Sequence, residues 1–360
     1  MALGGSASPS RHPVRPLYRV RVCSVAAIRS CILALCAGLL LMGCADGKGG
    51  REHAMADGLE IEKRSVCVGP YTLDVPVGWT RQQKSLDAGG DATFYFGRDE
   101  NFVKIDAVVV DDRERSAFEA GVLQREGELK AREHFAHDGS MFVSRETVGD
   151  GMALIQSYAS VDTTDAIRME VHGALPTSSV VLSQTAYAPD ARDAVRARLL
   201  AALASVREID PGTAPASVFC IGRVAFDLAS DYEEAEIGYA GRTLDASAAL
   251  RMDINTFAEA AEEPSLLVRG EANLEGLGVR PQRLRAGARP LAGDDGEEWL
   301  GAFVEDGTRI QAFYAETTTK TPTSVHPKLL VSLSVGESGA MDDGTAVALW
   351  DQILPTLRKR

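Results

Sequence analysis

The sequence predicts an α+β protein of two similar lobes, each an antiparallel sheet with helices packed on one side. Three observations predict it. A short stretch occurs twice, as Cys67-Val68-Gly69-Pro70-Tyr71-Thr72-Leu73-Asp74-Val75 and as Cys220-Ile221-Gly222-Arg223-Val224-Ala225-Phe226-Asp227-Leu228, with Trp79 following one copy and Tyr232 the other. The copies start 153 residues apart, the length of a whole domain rather than of a solenoid repeat. After each copy, segments of period-2 alternation gather together, with one helical segment among them and one behind them.

Composition agrees with two cores of ordinary size: 360 residues, 45% of them hydrophobic, with 34 glycines and 15 prolines. The formal charge is −13. The first 44 residues hold five arginines and no acid, so the remainder carries 33 basic against 51 acidic side chains, a net of −18. Such a surface repels nucleic acid and anionic headgroups and favours a basic partner, although acidity also serves solubility alone.

Taken in order, residues 11–30 are arginine-rich and residues 31–42 are apolar without interruption. A basic segment before a short apolar one predicts a secretory signal over residues 1–43, too short to span a membrane comfortably. Its end, Leu41-Met42-Gly43-Cys44, resembles the lipobox of bacterial lipoproteins. That resemblance implies a lipid on Cys44 and a periplasmic protein anchored to a membrane, the outer one slightly favoured over the inner. Residues 44–58 are small and polar and read as a flexible tether.

The first lobe is assigned to residues 59–209. The Cys67 stretch reads as one half-buried strand, with glycine placed for a bulge or close approach. Strands follow at 92–96 and 102–110, then a helix from Arg113 to about Phe135 with Phe118, Val122 and Leu129 on one side. Strands near 141–147, 152–160, 167–175 and 179–186 precede a helix from Ala191 to Val206. Residues 210–215, Asp-Pro-Gly-Thr-Ala-Pro, form the linker. The second lobe, 216–360, repeats the plan. It has strands at Cys220, 234–244, 250–254, 279–285, 298–305, 309–317 and 328–334, a helix near 263–274 interrupted by Gly270, and a last helix from Thr345 to Leu357 that Pro355 ends or kinks.

Chemistry-bearing motifs are sparse. The sequence contains no G-x-S-x-G, no G-x-x-x-x-G-K-[ST], no G-x-G-x-x-G and no H-E-x-x-H. His134 and His137 are three apart on a predicted helix and lack a third metal ligand, so exposed surface histidines are the plainer reading. Asp294-Asp295 and Asp342-Asp343 lack the order of a calcium loop and read as solvated turns. Asp74 and Asp227 point outward from separate lobes. Cys67 and Cys220 read as two small hydrophobes, each buried under its own sheet, because equivalent positions of two lobes need not lie within the roughly 4.4–6.8 Å that a disulfide requires. An oxidising compartment would nevertheless permit the bond. No cofactor and no metal are expected.

Cys67, Gly69, Asp74 and Trp79 open the first half; Cys220, Gly222 and Asp227 open the second, and Ala348-Leu349-Trp350-Asp351-Gln352-Ile353-Leu354 closes it. With the lipobox, this series resembles the class-4 immunity proteins that protect bacteria against phospholipase effectors of the type VI secretion system. The resemblance spans essentially the whole mature chain. It implies a periplasmic, lipid-anchored, non-enzymatic inhibitor whose lobes form a crescent or clamp around an α/β-hydrolase phospholipase, with a 1:1 complex expected. The second copy departs at Ala229-Ser230-Asp231-Tyr232, which has no counterpart of Pro76 and Gly78. Loops at the open ends of the sheets are the expected partner contacts, with Asp87 and Asp91 in one lobe and Asp294, Asp295, Glu297 and Glu298 in the other. The residues alone leave open an envelope lipoprotein that binds a small solute or another envelope protein in an interlobe cleft. Solute receptors of that kind alternate helices with parallel strands, whereas this chain groups its strands.

Overall fold

The computed structural model describes residues 60–97, 103–111, 115–213, 215, 217–257, 264–275, 281–336, 338, 339 and 341–360, with only the backbone for 271–275. The signal, Cys44 and the tether lie outside the described residues. Residues Glu52–Arg360 form one compact unit.

The first half runs β1 (Lys63–Gly69), β2 (Tyr71–Pro76), β3 (Thr80–Gln82), β4 (Ala92–Phe96), β5 (Val103–Asp111), α1 (Arg115–Ala131), β6 (Phe142–Gly149), β7 (Met152–Ser160), β8 (Thr163–Ala174), β9 (Ser178–Ala186), α2 (Arg192–Ala204) and β10 (Val206–Glu208). The second half repeats this order without a counterpart of β3. It comprises β11 (Phe219–Gly222), β12 (Val224–Phe226), β13 (Tyr232–Thr243), β14 (Ala246–Asn255), α3 (Leu266–Glu275), β15 (Gln282–Ala288), β16 (Gly296–Glu305), β17 (Thr308–Thr317), β18 (Lys328–Val335), α4 (Asp343–Ile353) and β19 (Arg358–Lys359). The class is α+β, built on two antiparallel sheets.

Each Cys-x-Gly stretch is the turn of a hairpin rather than a single strand. Val68 faces Tyr71 and Ile221 faces Val224, which leaves two-residue loops at 69–70 and 222–223. The first loop residue must take positive φ, and Gly69 (54°) and Gly222 (60°) do so without a Cβ penalty.

The larger sheet runs β15-β16-β17-β18-β14-β13-β4-β5-β9-β8-β7-β6, with β3 also on β13. It is therefore continuous through both halves, and the seam is β4 against β13, from Tyr95 opposite Tyr232 to Ala92 opposite Ala235. Both outer strands carry register shifts, at Phe142/Ser144 and Thr147/Gly149 in β6 and at Arg283/Arg285 in β15, which spoil them as templates for further strands.

The smaller sheet runs β10-β12-β11-β1-β2-β19. Here the halves exchange their last strands: β10 of the first half joins β12 of the second, and β19 of the second joins β2 of the first. At its centre Cys67 and Cys220 are disulfide-bonded, with Cα atoms 5.7 Å apart. This corrects the expectation of two separately buried thiols. The strand pairing that brings Cys67 opposite Gly222 and Gly69 opposite Cys220 joins the two lobes edge to edge, so equivalent cysteines meet at the local axis between them.

The helices lie on both faces of the larger sheet, not on one. A row of cross-strand neighbours on one face reads Leu154, Val171, Leu182, Ala107, Ala92, Ala235, Ile254 and Leu329, apolar throughout and buried. α2, α4 and the smaller sheet cover this face and share one core with it, including Leu199, Phe226, Phe313 and Trp350. The row one residue along has the opposite character and belongs to the face that carries α1 and α3 at its two ends. α1 packs Phe118, Val122 and Leu129 against Ile155, and α3 packs Leu266 against Trp299. Gly270 does not interrupt α3 but admits it, since a Cβ there would meet the Trp299 ring at 2.7 Å. At α4 the Asp342 carboxylate caps the Thr345 N–H at 3.0 Å, and the helix stops at Ile353, where Pro355 lies in a tighter 3-10 turn.

Candidate partner-binding face

Between α1 and α3 no helix among the described residues covers the larger sheet, and its side chains there are polar. The row begins under α1 with Ile155 and Glu170, then crosses Ser183, Asp106, Thr93, Glu234, Asn255 and Lys328. Strand alternation alone produces this contrast with the apolar row.

The floor is pre-organised by its own bonds. Thr93 donates to Asp106 at 2.9 Å, Tyr95 OH to Glu234 at 2.8 Å, and Asn255 Nδ2 to the other Glu234 oxygen at 2.7 Å. Lys84 and Arg251 both reach Glu236, at 2.6 and 2.9 Å, and Arg251 also holds Asp253 at 2.9 Å. Burial and the neighbouring Glu234 push the Tyr95 phenol up, so it stays an O–H donor. Burial also pushes the Asp253 carboxyl up, against the pull of Arg251.

Aromatic side chains sit at one end of the floor: Phe257 stacks on Tyr95 with centroids 5.4 Å apart and meets Tyr232 edge-on at 5.2 Å. Phe257 is 42% exposed. The flanking helices each show a large apolar side chain to solvent, Leu123 on α1 and Val268 on α3. Each helix is also pinned to the sheet by an ion pair, Arg125 with Glu170 at 2.7 Å and Arg269 with Glu316. Burial alone would push the Glu170 carboxyl up; His172, 3.6 Å away, and the Arg125 guanidinium outweigh it and hold the group at about 2.

The structure separates the sequence-derived candidates. Asp87 lies at the edge of this face, bonded to Arg168 at 2.8 Å and to Arg125 at 3.3 Å. Asp91 is buried; it accepts from the Val109 N–H at 2.8 Å and pairs with Arg81 at 3.0 Å. Glu298 is buried under α4, held by Arg285 at 2.7 Å and by the Trp350 indole N–H at 3.2 Å. Asp91 and Glu298 therefore brace the fold and are not open to a partner, which corrects their placement on exposed loops. Glu297, one residue away, points to the other face and accepts from the Leu267 N–H at the start of α3. Asp294 pairs with His326 at 2.7 Å, and Asp295 is exposed. No hydrogen bond or ion pair joins the 87–91 and 294–298 segments among the described residues.

The repeat residues do structural work. Asp74 accepts from the Ser65 hydroxyl at 2.6 Å, Asp227 lies 3.6 Å from Arg207, and buried Trp79 donates to Thr243 at 3.0 Å. Tyr232, in the place equivalent to Trp79, belongs instead to the aromatic group on the open face. His134 and His137 lie beyond the end of α1. His134 is buried rather than exposed, stacked on His137 at 4.3 Å and bonded to the Thr163 carbonyl at 2.9 Å. Among the described residues no group of three or more side chains is placed to hold a metal.

Sequence reasoning missed the floor itself. Its signal was present as polar alternates in strands 92–96, 103–111, 232–243 and 246–255, but which alternates share a face across the seam depends on β4 meeting β13.

Residues 216–360 match the family model described as the Tle cognate immunity protein 4 C-terminal domain. The fold is also similar to solved structures. The apo structure of the immunity protein TplEi of T6SS from Pseudomonas aeruginosa matches with a TM-score of 0.56 at 21% identity, covering 83% of this chain and 97% of that one. The structure of the Tle4–Tli4 complex matches with a TM-score of 0.55 at 20% identity, covering 83% and 97%. TplEi complexed with an "L" peptide matches with a TM-score of 0.52 at 20% identity, covering 83% and 98%. No curated protein matches the chain.

Proposed function

We propose that this chain is a non-enzymatic immunity protein that binds and inhibits a cognate phospholipase effector of the type VI secretion system. The observation that carries the reading is the match of residues 216–360 to the Tle cognate immunity protein 4 C-terminal domain. The fold likeness to TplEi and to the Tle4–Tli4 complex extends it over the first half. The face between α1 and α3 suits the task. A rigid floor of bonded charges costs little ordering on binding, and the Tyr95–Phe257–Tyr232 group supplies the aromatic contact that dominates many interfaces. Asp87 and the flanking helices would extend the contact over both lobes, and two modest surfaces on one body act together with a high effective concentration.

The test uses the protein from Ala45 onward, which contains the whole compact unit Glu52–Arg360. Mixed with its cognate phospholipase effector, this protein abolishes activity at one equivalent and elutes as a 1:1 complex. Full lipase activity at saturation would refute the reading. Phe257→Ala weakens the complex by ~2 kcal/mol, roughly thirtyfold, the scale of an aromatic hot spot. An unchanged dissociation constant would move the interface off this face.

Attachment through a lipid on Cys44 is part of the same proposal, since it would hold the inhibitor at the membrane its target attacks. The residue lies outside the described region, so the support is the lipobox alone. Mass spectrometry of the first mature residue shows acyl chains in the wild type, and Cys44→Ala releases the protein from the membrane or stalls its processing. An unacylated wild-type terminus would overturn the anchor.

A further inference from the structure

The two halves are not identical where their exchanged strands end. The 153-residue offset that relates Cys67 to Cys220 also relates Pro70 to Arg223, and the pairing of the exchanged strands β10 and β19 makes Ile209 the counterpart of Arg360. The backbone bonds match: Arg360 N–H donates to the Pro70 carbonyl at 3.0 Å, and Ile209 N–H to the Arg223 carbonyl at 2.8 Å. The side chains do not. The Arg360 guanidinium donates to the carbonyls of Pro215 and Gly69, both at 2.8 Å, and to that of Val218. The counterparts of Gly69 and Val218 are Gly222 and Ser65, and Ile209 brings no donor group to them.

At that equivalent place the protein has a cavity of about 640 Å³, walled by Ser65, Trp79, Arg81, Asp111, Gly222 and Tyr239. Asp111 is the one carboxyl group among the described lining residues. Its Oδ2 accepts from Arg81 Nε at 2.7 Å, while its Oδ1 is buried with no hydrogen-bond partner among the described residues. That oxygen is turned towards Gly222, where a Cβ would meet it at 2.9 Å. A buried carboxylate oxygen without a donor is costly and fits a missing cation.

Arginines also border the cavity, and an anion is the competing occupant. Two of them are engaged within the fold. Arg81 lies between Asp91 and Asp111 and also donates to the Val109 carbonyl. Arg64 donates to the Trp79 carbonyl at 3.0 Å and lies over the Tyr239 ring, 5.6 Å from its centroid. Arg223 is exposed on the rim.

We propose that this cavity is a guanidinium-binding site, filled by an arginine side chain of the protein partner in the way Arg360 fills its counterpart from within. The identity of the partner rests on the proposed function; the chemistry of the cavity does not. A guanidinium matches a carboxylate oxygen and adjacent carbonyls with planar, directed donors, and an aromatic wall suits its faces.

The test begins with N-acetyl-arginine amide, whose one charge is the guanidinium, added to the full chain and followed by saturation-transfer NMR. The neutral citrulline analogue and N-acetyl-glutamate amide serve as controls. The arginine probe binds saturably and the controls do not. Asp111→Asn weakens it at least about tenfold, the weight of one charge-assisted bond. Ile209→Arg, which copies Arg360 into the cavity, abolishes probe binding while the melting temperature is kept or raised. No saturable binding, preference for the glutamate probe, or binding untouched by Ile209→Arg would each overturn the site. In the complex, Ile209→Arg weakens lipase affinity by a similar factor; loss of probe binding with unchanged lipase affinity would overturn the partner's arginine as the source. Failure of the wild type to bind any lipase would count against the proposed function and leave the probe result standing.

Discussion

Replacing Cys67 and Cys220 together by serine lowers the unfolding free energy by about 4 to 5 kcal/mol, as chain entropy dictates for a crosslink closing a loop of this length. The closed loop spans 153 residues and holds the first lobe and the linker, so the bond removes a large fraction of the disorder open to the unfolded chain. Both cysteines are fully buried in the smaller sheet between Val66, Val68 and Ile221, so the substitution also leaves hydroxyls in an apolar layer. Denaturant titrations with and without reductant measure the effect, and non-reducing peptide mapping recovers the linked peptides. Equal midpoints in both titrations, with free thiols in the oxidised sample, would refute it.

Residues 59–209 and 216–360, produced apart, lose cooperative unfolding, and mixing the two restores it. Each piece has the length of an independent domain. The first nevertheless leaves five strand edges bare and the second four, since β1 pairs with β11, β3 and β4 with β13, β10 with β12, and β19 with β2. The apolar row that crosses the seam at Ala92 and Ala235 would also be cut open. Thermal melts by circular dichroism, on each piece and on the mixture, decide the matter. A piece melting alone with the sharpness and midpoint of the whole protein would show that its exchanged strand is dispensable. If the pieces do not fold apart, lobe-by-lobe assays of lipase inhibition report on folding rather than on recognition.

The element order was legible because local signals suffice for it. The strand of 328–335 alternates Leu329, Val331, Leu333 and Val335 inward, and α2 and α4 carry plain apolar stripes. The hairpin turns at Gly69 and Gly222 were visible as glycines but were read inside a strand, since a two-residue loop leaves alternation almost unbroken. Everything that depends on pairing between distant strands was hidden. The disulfide, the burial of Asp91 and Glu298, and the polar floor all follow from which edge meets which. Acidic residues beside glycines look like solvated turns whether or not an arginine waits under them, as Arg81 does for Asp91. The placement of α1 and α3 together on one face was equally silent, because a helical stripe records that a helix is buried and not on which side of a sheet.

The exchange of last strands also fixes an order of assembly. Residues of β1 and β2 wait for partners far behind them: the Asp74 N–H bonds to Thr356 across 282 positions, and the Gly69 carbonyl to Arg360 across 291. Contacts of such separation are slow to form, because a long loop must close before any of them is gained. As the chain is synthesised, the first lobe has all of its larger-sheet strands long before it has the residues that complete its hairpin. It therefore remains open on one side until β19 is available, and closure of the first lobe is among the last events in the maturation of the second. Neither half can lock before the other has arrived.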